Sequence, residues 1–314
     1  MSKFEHRTVL LEETIAAIRP AAGKLYLDCT LGGGGHSLGI LTAVDGNCVV
    51  IGIDKDETAL EAASERIKDQ GYAESFKPVK ASFSEAKQVL QRLNIEKVDG
   101  VIADLGFSSP QIDRAERGFS YLHDGPLDMR MDLSQSLDCR ALIAEASAAE
   151  LQRIFSRYGE ERYAKGIARA IVKARETEPI ERTAQLAEII ANAVPAKVRR
   201  EKHPARKCFQ ALRIAVNGEL DALEALLESI PEILNPDSRV AIISFHSLED
   251  RLVKEAMRDW TNPCKCPKQL PCNCGLKPLG KAEKAIRAGE AELSANPRAR
   301  SATLRVFNYL PQAD

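Results

Sequence analysis

Leu27-Asp28-Cys29-Thr30-Leu31-Gly32-Gly33-Gly34-Gly35-His36-Ser37 is the stretch that decides the fold of this 314-residue chain. An apolar run, Leu25-Tyr26-Leu27, leads into it, and residues of helical character, Leu38, Ile40 and Leu41, leave it. Glycine has no side chain to block a ligand and accepts positive φ, so such a turn brings backbone amides against a bound group. A second apolar run, Cys48-Val49-Val50-Ile51-Gly52-Ile53, ends in Asp54, 22 residues beyond Gly32. That is near the interval at which a βαβ nucleotide fold grips a ribose hydroxyl with a carboxylate. Turn and acid together point to a ligand built on adenosine.

Outward from this unit, strand and helix alternate. The spacing predicts a helix over 8–18 closed by Pro20, strands over 24–28, 49–54, 76–81 and 98–104, and helices between them. Strands without polar alternation, separated by helices, imply a parallel sheet covered on both faces. After Pro110 the rhythm changes. Residues 111–135 read as a long ordered loop, and 138–145, 147–156, 160–174 and 183–193 as helices. A sheet rhythm returns with a helix over 208–229, a strand over 239–244, a helix over 248–260 and a strand over 302–309. The expected architecture is α/β: a Rossmann-like domain from 1–112 and 206–314, interrupted by a helical insertion over 113–205.

Composition restricts the function classes. A net charge of −1 excludes global attraction to a polyanion, so local patches must carry any contact with nucleic acid. No window approaches the roughly 18 uninterrupted apolar residues of a membrane span, and the first residues lack a signal-peptide core. A soluble, cytoplasmic protein with no membrane partner is expected. Cys29, Cys48, Cys139 and Cys208 are scattered, as reduced thiols are.

A glycine turn with a downstream acid fits either NAD or S-adenosylmethionine. Read as Gly-x-Gly-x-x-Gly from Gly32, the pattern fails at Ser37, where a dinucleotide fold needs glycine for close helix–strand packing. Asp28 places negative charge beside the turn, which repels a pyrophosphate and suits an ammonium and a sulfonium. The residues therefore favour S-adenosylmethionine. Phe83, past the third strand, is a candidate for the adenine face or for the core. Asp104 ends the fourth strand on the edge where carboxyl-end loops face a crevice, or caps a turn there.

Asp104-Leu105-Gly106-Phe107-Ser108-Ser109-Pro110-Gln111 follows that strand. Enzymes that methylate exocyclic amines of bases carry a short polar-Pro-Pro-aromatic motif at this point. An aryl amine's lone pair is delocalised into its ring, and acceptors around its N–H groups localise it as positive charge develops. Asp104, Ser108, Ser109 and Pro110 are thus candidates for the transfer site, though the match is loose, with one proline and Phe107 ahead of it. His246, just beyond the late strand, is a candidate proton acceptor or a capping histidine.

The whole chain resembles the bacterial small-subunit ribosomal RNA cytosine-N4 methyltransferases, the MraW or RsmH family. The resemblance runs through His6–Leu11, Gly32–Ser37, Asp104–Gln111, Arg117–Ser120, Asp124–Asp132, Tyr158–Arg162, His203–Ala205, Phe209–Ile214, Ser244–Arg251 and Asn296–Ser301. It implies a class I methyltransferase sheet whose helical insertion recognises substrate. The implied reaction moves a methyl group from S-adenosylmethionine to N4 of a decoding-centre cytidine in 16S rRNA of the small ribosomal subunit. It also implies cofactor contacts at Gly34, Gly35, His36, Asp54, Phe83, Asp104 and Gln111. It leaves the proton acceptor open among Asp104, His246 and a water chain, and leaves the oligomeric state unspecified.

RNA needs a basic surface. The densest basic stretch is Lys197-Val198-Arg199-Arg200-Glu201-Lys202-His203 with Arg206-Lys207; Arg298, Arg300 and Arg305 form another, and Arg162, Lys165 and Arg169 share a helical face. Phe107, Phe119 and Tyr121 could stack on a base turned out for reaction, or pack the insertion. Cys264, Cys266, Cys272 and Cys274 form a Cys-x-Cys, Cys-x-Cys array fit for structural zinc, free thiols or redox pairing. Two rival readings stay open: a nicotinamide-dependent oxidoreductase, and a nonenzymatic RNA-binding factor that keeps the pocket for stability.

Overall fold

The structure, a computed structural model, describes residues 8–106, 114–201, 203–267, 269 and 273–310. The chain divides into two compact units, one formed by residues up to Gly106 and from Leu220 onward, the other by Phe107–Glu219.

The first unit is a Rossmann-like α/β sheet of seven strands: β1 (Leu25–Asp28), β2 (Val49–Asp54), β3 (Phe76–Lys80), β4 (Val98–Asp104), β5 (Leu234–Ser244), β6 (Gly280–Ala282) and β7 (Thr303–Tyr309). Their order is β3-β2-β1-β4-β5-β7-β6. The first five are parallel, and β7 runs antiparallel between β5 and β6. Successive residues of each strand serve opposite cores. Leu27, Ile51, Val101 and Ile242 pack with α4 (Ala86–Arg92), the helix Glu219–Ser229 and the helix Ser247–Thr261. Tyr26, Val50, Ile102 and Ile243 pack on the other face with α1 (Leu11–Ile18), α2 (Gly35–Ala43) and α3 (Glu57–Asp69). Burial on both faces is why β2 reads as an unbroken apolar run up to Asp54. The order reverses between β1 and β4, and their carboxyl ends flank the crevice where such sheets bind ligands.

The second unit is helical: Cys139–Glu145, Ala148–Gly159, Ala164–Arg175, Thr183–Asn192, Ala196–Glu201 and Ala205–Asn217. The boundary expected between 205 and 206 lies later. Cys208, Phe209, Ala211 and Leu212 are buried in the helical core with Phe155 and Ile167, so their helix belongs to this unit. The single helix expected over 208–229 is broken at Gly218, which takes φ 60° and ends Ala205–Asn217. Ala196–Glu201, Glu290–Ala295 and β6 were not expected; all three are short, with no full turn of apolar periodicity to betray them. Thr8 to Leu10 were expected in α1, but Leu10 takes a left-handed φ of 51° and the helix starts after it. Among the described residues, no helix is long and apolar enough to cross a membrane.

Candidate active site

Asp28 ends β1 almost wholly buried. Its Oδ2 accepts from Ser37 Oγ at 2.7 Å and its Oδ1 from Thr30 N at 3.2 Å. Ser37 thus stands where a dinucleotide turn has glycine because its hydroxyl holds the Asp28 carboxylate. Burial pushes the Asp28 carboxyl up to about 6, against the pull of these hydrogen bonds and with a further push from Asp54. Ser37→Ala should cost about 1.5–3 kcal/mol at about pH 8, where the bond is to a charged group, but only about 0.5–1.5 kcal/mol at about pH 5. Urea unfolding at both pH values checks this; equal losses would separate Ser37 from the charge of Asp28.

The glycine turn is shaped by its neighbours as much as by any ligand. Gly34 is the N-cap of α2 at φ 71°. A Cβ there would lie 2.9 Å from Ala63 Cβ, and one on Gly35 would lie 1.8 Å from Thr8 Oγ1. Close packing of α3 and of the Thr8 segment therefore explains both glycines. Gly33 has open space in front of it. Gly32 N donates to Asp54 Oδ2 at 2.8 Å, and Asp56 N to Asp54 Oδ1 at 2.9 Å. The acid that ends β2 so ties the turn to the next helix, and burial raises its pKa. Phe83 opens the 3-10 turn after β3, half-buried against the core of that face.

Asp104 ends β4, and its backbone N donates to Thr30 Oγ1 at 2.5 Å. Its Oδ2 lies 3.9 Å from His36 Nδ1, and His36 Nε2 lies 3.1 Å from the Val9 carbonyl. Asp104 Oδ1 is buried and, among the described residues, has no hydrogen-bond partner. Burial raises its pKa well above the carboxylate range, and the charges of Asp28 and Glu249 raise it further.

Glu249 was missed in the sequence. It is buried, and its Oε2 accepts from Phe245 N at 2.8 Å and His246 N at 3.2 Å. The signal was legible: His246 and Glu249 stand three apart directly after a strand, the spacing of a capping box. His246 is the N-cap of the helix Ser247–Thr261, its Nδ1 accepting from Glu249 N at 3.4 Å. Its Nε2 lies 3.1 Å from Glu249 Oε1 without hydrogen-bond alignment. Three carboxylates thus converge at the carboxyl edge of the sheet, from β1, from β4 and from the first turn of the helix Ser247–Thr261. Such a cluster in a low-dielectric setting favours a cationic ligand, and the unsatisfied Asp104 oxygen calls for a donor.

Phe107, Ser108, Ser109, Pro110, Gln111, Lys202 and Cys272 lie outside the described residues. Arg305, expected in a basic patch, is instead engaged on β7. Its guanidinium grips Asp250 through Nε at 2.7 Å and Nη2 at 2.9 Å, joining the helix Ser247–Thr261 to the sheet. The fork holds the Asp250 carboxyl below its usual range. Arg305→Lys, which loses the paired geometry, should lower stability by about 1 kcal/mol. Thermal unfolding checks it, and an unchanged midpoint would remove the pair from the fold's support.

In the helical unit, Arg162, Lys165, Arg169, Lys197, Arg199, Arg206 and Lys207 are exposed. Phe119 is buried there, and Tyr121 stacks on His203 with ring centroids 4.8 Å apart. Cys264, Cys266 and Cys274 are brought together in the sheet unit, their sulfurs within 4.8 Å of one another.

Among solved structures the likeness is loose: TrmN from Thermus thermophilus matches with a TM-score of 0.45 and 13% identity, over 96% of this chain and 48% of that one. Sequence relatives are much nearer. A protein named ribosomal RNA small subunit methyltransferase H from Symbiobacterium thermophilum is 50% identical over 96% of this chain and 96% of its own. One of the same name from Carboxydothermus hydrogenoformans is 51% identical over 98% of this chain and 99% of its own. The model of the MraW methylase family matches residues 3–310, a span that takes in both units and every carboxylate of the cluster. The chain belongs to the MraW methylase family.

Proposed function

We propose that this protein transfers a methyl group from S-adenosylmethionine to the N4 amino group of a decoding-centre cytidine in 16S ribosomal RNA of the small ribosomal subunit. The observation that carries the reading is the buried Oδ1 of Asp104 at the tip of β4, unpartnered among the described residues, beside the buried carboxylates of Asp28 and Glu249. The relatives' shared name supports ribosomal RNA as the substrate. The sequence likeness to cytosine-N4 methyltransferases supports the choice of amine.

The donor, when bound, supplies an electrophilic methyl group on a sulfonium. The residues present fit it. Asp28, Asp104 and Glu249 give the negative potential that a sulfonium and an ammonium need. Asp54 has spent one lone pair per oxygen on Gly32 N and Asp56 N, which leaves acceptor capacity for ribose hydroxyls. Phe83, half-buried just past β3, would offer its remaining face to the adenine, and a Cβ on Gly33 would meet open space. The Gly34, Gly35 and His36 segment carries the turn that frames them, and Gln111 is assigned by sequence likeness alone.

Asp104 also serves the acceptor amine. Its Oδ1 accepts a hydrogen bond from the amine N–H, which localises the nitrogen lone pair, and then takes the proton released by attack. A raised pKa makes it a better base than an ordinary carboxylate. We assign this role to Asp104 and not to His246, whose ring caps a helix against Glu249. Ser108, Ser109 and Pro110 follow directly in sequence and would complete the acceptor's surroundings. The exposed Arg162, Lys165 and Arg169, with Lys197, Arg199, Arg206 and Lys207, supply phosphate contacts that position RNA without reading its sequence.

Mass-spectrometric mapping of 16S rRNA from cells with and without the gene tests the reading. The expected result is one cytidine that loses a base methyl group in the deletion strain and regains it when purified protein and donor are added to isolated small subunits. Methyl incorporation at another base or at a ribose, or none at all, would overturn it.

A further inference from the structure

We propose that Cys264, Cys266 and Cys274 bind a zinc ion that fixes the loop joining the helix Ser247–Thr261 to β6. The three cysteines lie with their sulfurs within 4.8 Å of one another. In a tetrahedral site with Zn–S bonds near 2.3 Å, ligand sulfurs stand about 3.8 Å apart. Movements of about 1 Å or less in flexible side chains would close the cluster on an ion. Residues two apart in extended chain point to opposite sides. The chain bends at Cys266, which lets Cys264 and Cys266 face one point, and Gly275, at φ 66°, turns it again directly after Cys274.

The other described cysteines are of a different kind. Cys29, Cys48, Cys139 and Cys208 are buried singly in apolar cores, and burial raises the pKa of each, as for packing thiols. The clustered three are exposed or half-exposed, where water and metal reach them.

The loop has a use for a cross-link. It runs from Asn262 to Leu279, and none of its described residues is helix or strand. Connections longer than about 12–15 residues without secondary structure are uncommon in compact domains. Its feet are tied where Leu279 N donates to the Trp260 carbonyl at 2.8 Å, and Lys265 Nζ pairs with Asp259 at 2.9 Å. Between them, residues 273–278 are all exposed, and Leu276 is 57% exposed. No apolar core orders this stretch, and a thiolate-bound ion substitutes for one. The site lies away from the carboxylate cluster in sequence and chemistry, and methyl transfer to an amine has no need of a Lewis acid. Its role is structural.

The test uses the full-length protein, expressed with zinc chloride in the medium and purified without chelator. Elemental analysis should find about one zinc per chain, released by a mercurial thiol reagent with a matching rise in a zinc-reporting dye. Cobalt loaded in its place should show thiolate-to-metal charge transfer. Cys266→Ser should weaken zinc binding more than about 100-fold, beyond the loss expected from an outer-shell partner. Removing the zinc should speed proteolysis between 262 and 279 by about tenfold. Zinc-free protein whose exposed thiols all react and which shows no cobalt–thiolate band would overturn the proposal. So would a disulfide among the three cysteines, or iron in place of zinc. Because metal content is read on the unaltered chain, a variant that fails to fold does not obscure the result.

Discussion

Asp104→Asn should leave the protein folded and reduce methyl transfer at saturating donor by about 10²–10⁴-fold. The substitution keeps the size and planarity of the side chain but removes its negative charge and basicity. The amide cannot take a proton, and half of it donates where the amine needs an acceptor. Stability should respond in the opposite sense. The Asp104 carboxyl is desolvated, repelled by Asp28 and Glu249, and has one oxygen with no partner among the described residues. Its backbone bond to Thr30 survives any side-chain change. The unliganded variant should therefore unfold at the same temperature as the parent or higher, because the parent must bury either the charge or an unpartnered polar oxygen. Single-turnover methylation of small subunits, donor titration by calorimetry and thermal unfolding separate the effects. Activity within about threefold of the parent would remove Asp104 from the reaction. Loss of activity with a fall in unfolding temperature would recast it as a structural residue.

The helical period of the amphipathic segments and the apolar runs of the strands carried most of the fold. Strands with both faces buried cannot alternate, so Val49–Ile53 and Val101–Ala103 stand out as apolar runs, and the strands Val49–Asp54 and Val98–Asp104 that hold them were placed to the residue. Asp28, Asp54 and Asp104 were legible because a carboxylate at the end of a buried strand has few structural reasons to be there. What stayed hidden lay in long-range partners. Nothing local to Ser37 says that its hydroxyl reaches Asp28, nor that Arg305 meets Asp250 across 55 positions of sequence. The demand for glycine at position 35 comes from Thr8, which lies 27 residues earlier and on no shared element. Glu249 was hidden differently. Its capping spacing explains it so well locally that its charge on Asp104 leaves no trace in the sequence. The helix break at Gly218 was visible as a glycine, but the apolar pattern on both sides runs on in phase.

Affinity for S-adenosylmethionine should rise with pH across the range in which Asp28 and Asp104 ionise. Both carboxyls are raised by burial, Asp28 to about 6 and Asp104 well above its ordinary value. A raised acid favours folding when protonated: its contribution is whole below the unfolded pKa and is lost as pH rises through the folded one. For Asp28 alone, a rise from 3.8 to about 6 amounts to about 3 kcal/mol. The unliganded protein should accordingly be more stable at about pH 5 than at about pH 8 where these groups dominate. A bound cation reverses the sign, because it holds the carboxylates ionised and binding must release their protons. Each carboxylate so coupled makes affinity fall up to about tenfold per pH unit below its pKa. For Asp28, at about 6, the dissociation constant should grow roughly fourfold between about pH 7.5 and pH 5.5, and the raised Asp104 carboxyl adds to the rise in the same direction. Asp28→Asn should flatten the curve by one proton. The demethylated product, S-adenosylhomocysteine, keeps the ammonium but has a neutral thioether, so its affinity should depend on pH less steeply. Calorimetry of both ligands over this range decides the matter. Parallel curves for the two would show that the carboxylates at the sheet edge do not sense the sulfonium, and the donor's charge would need another partner.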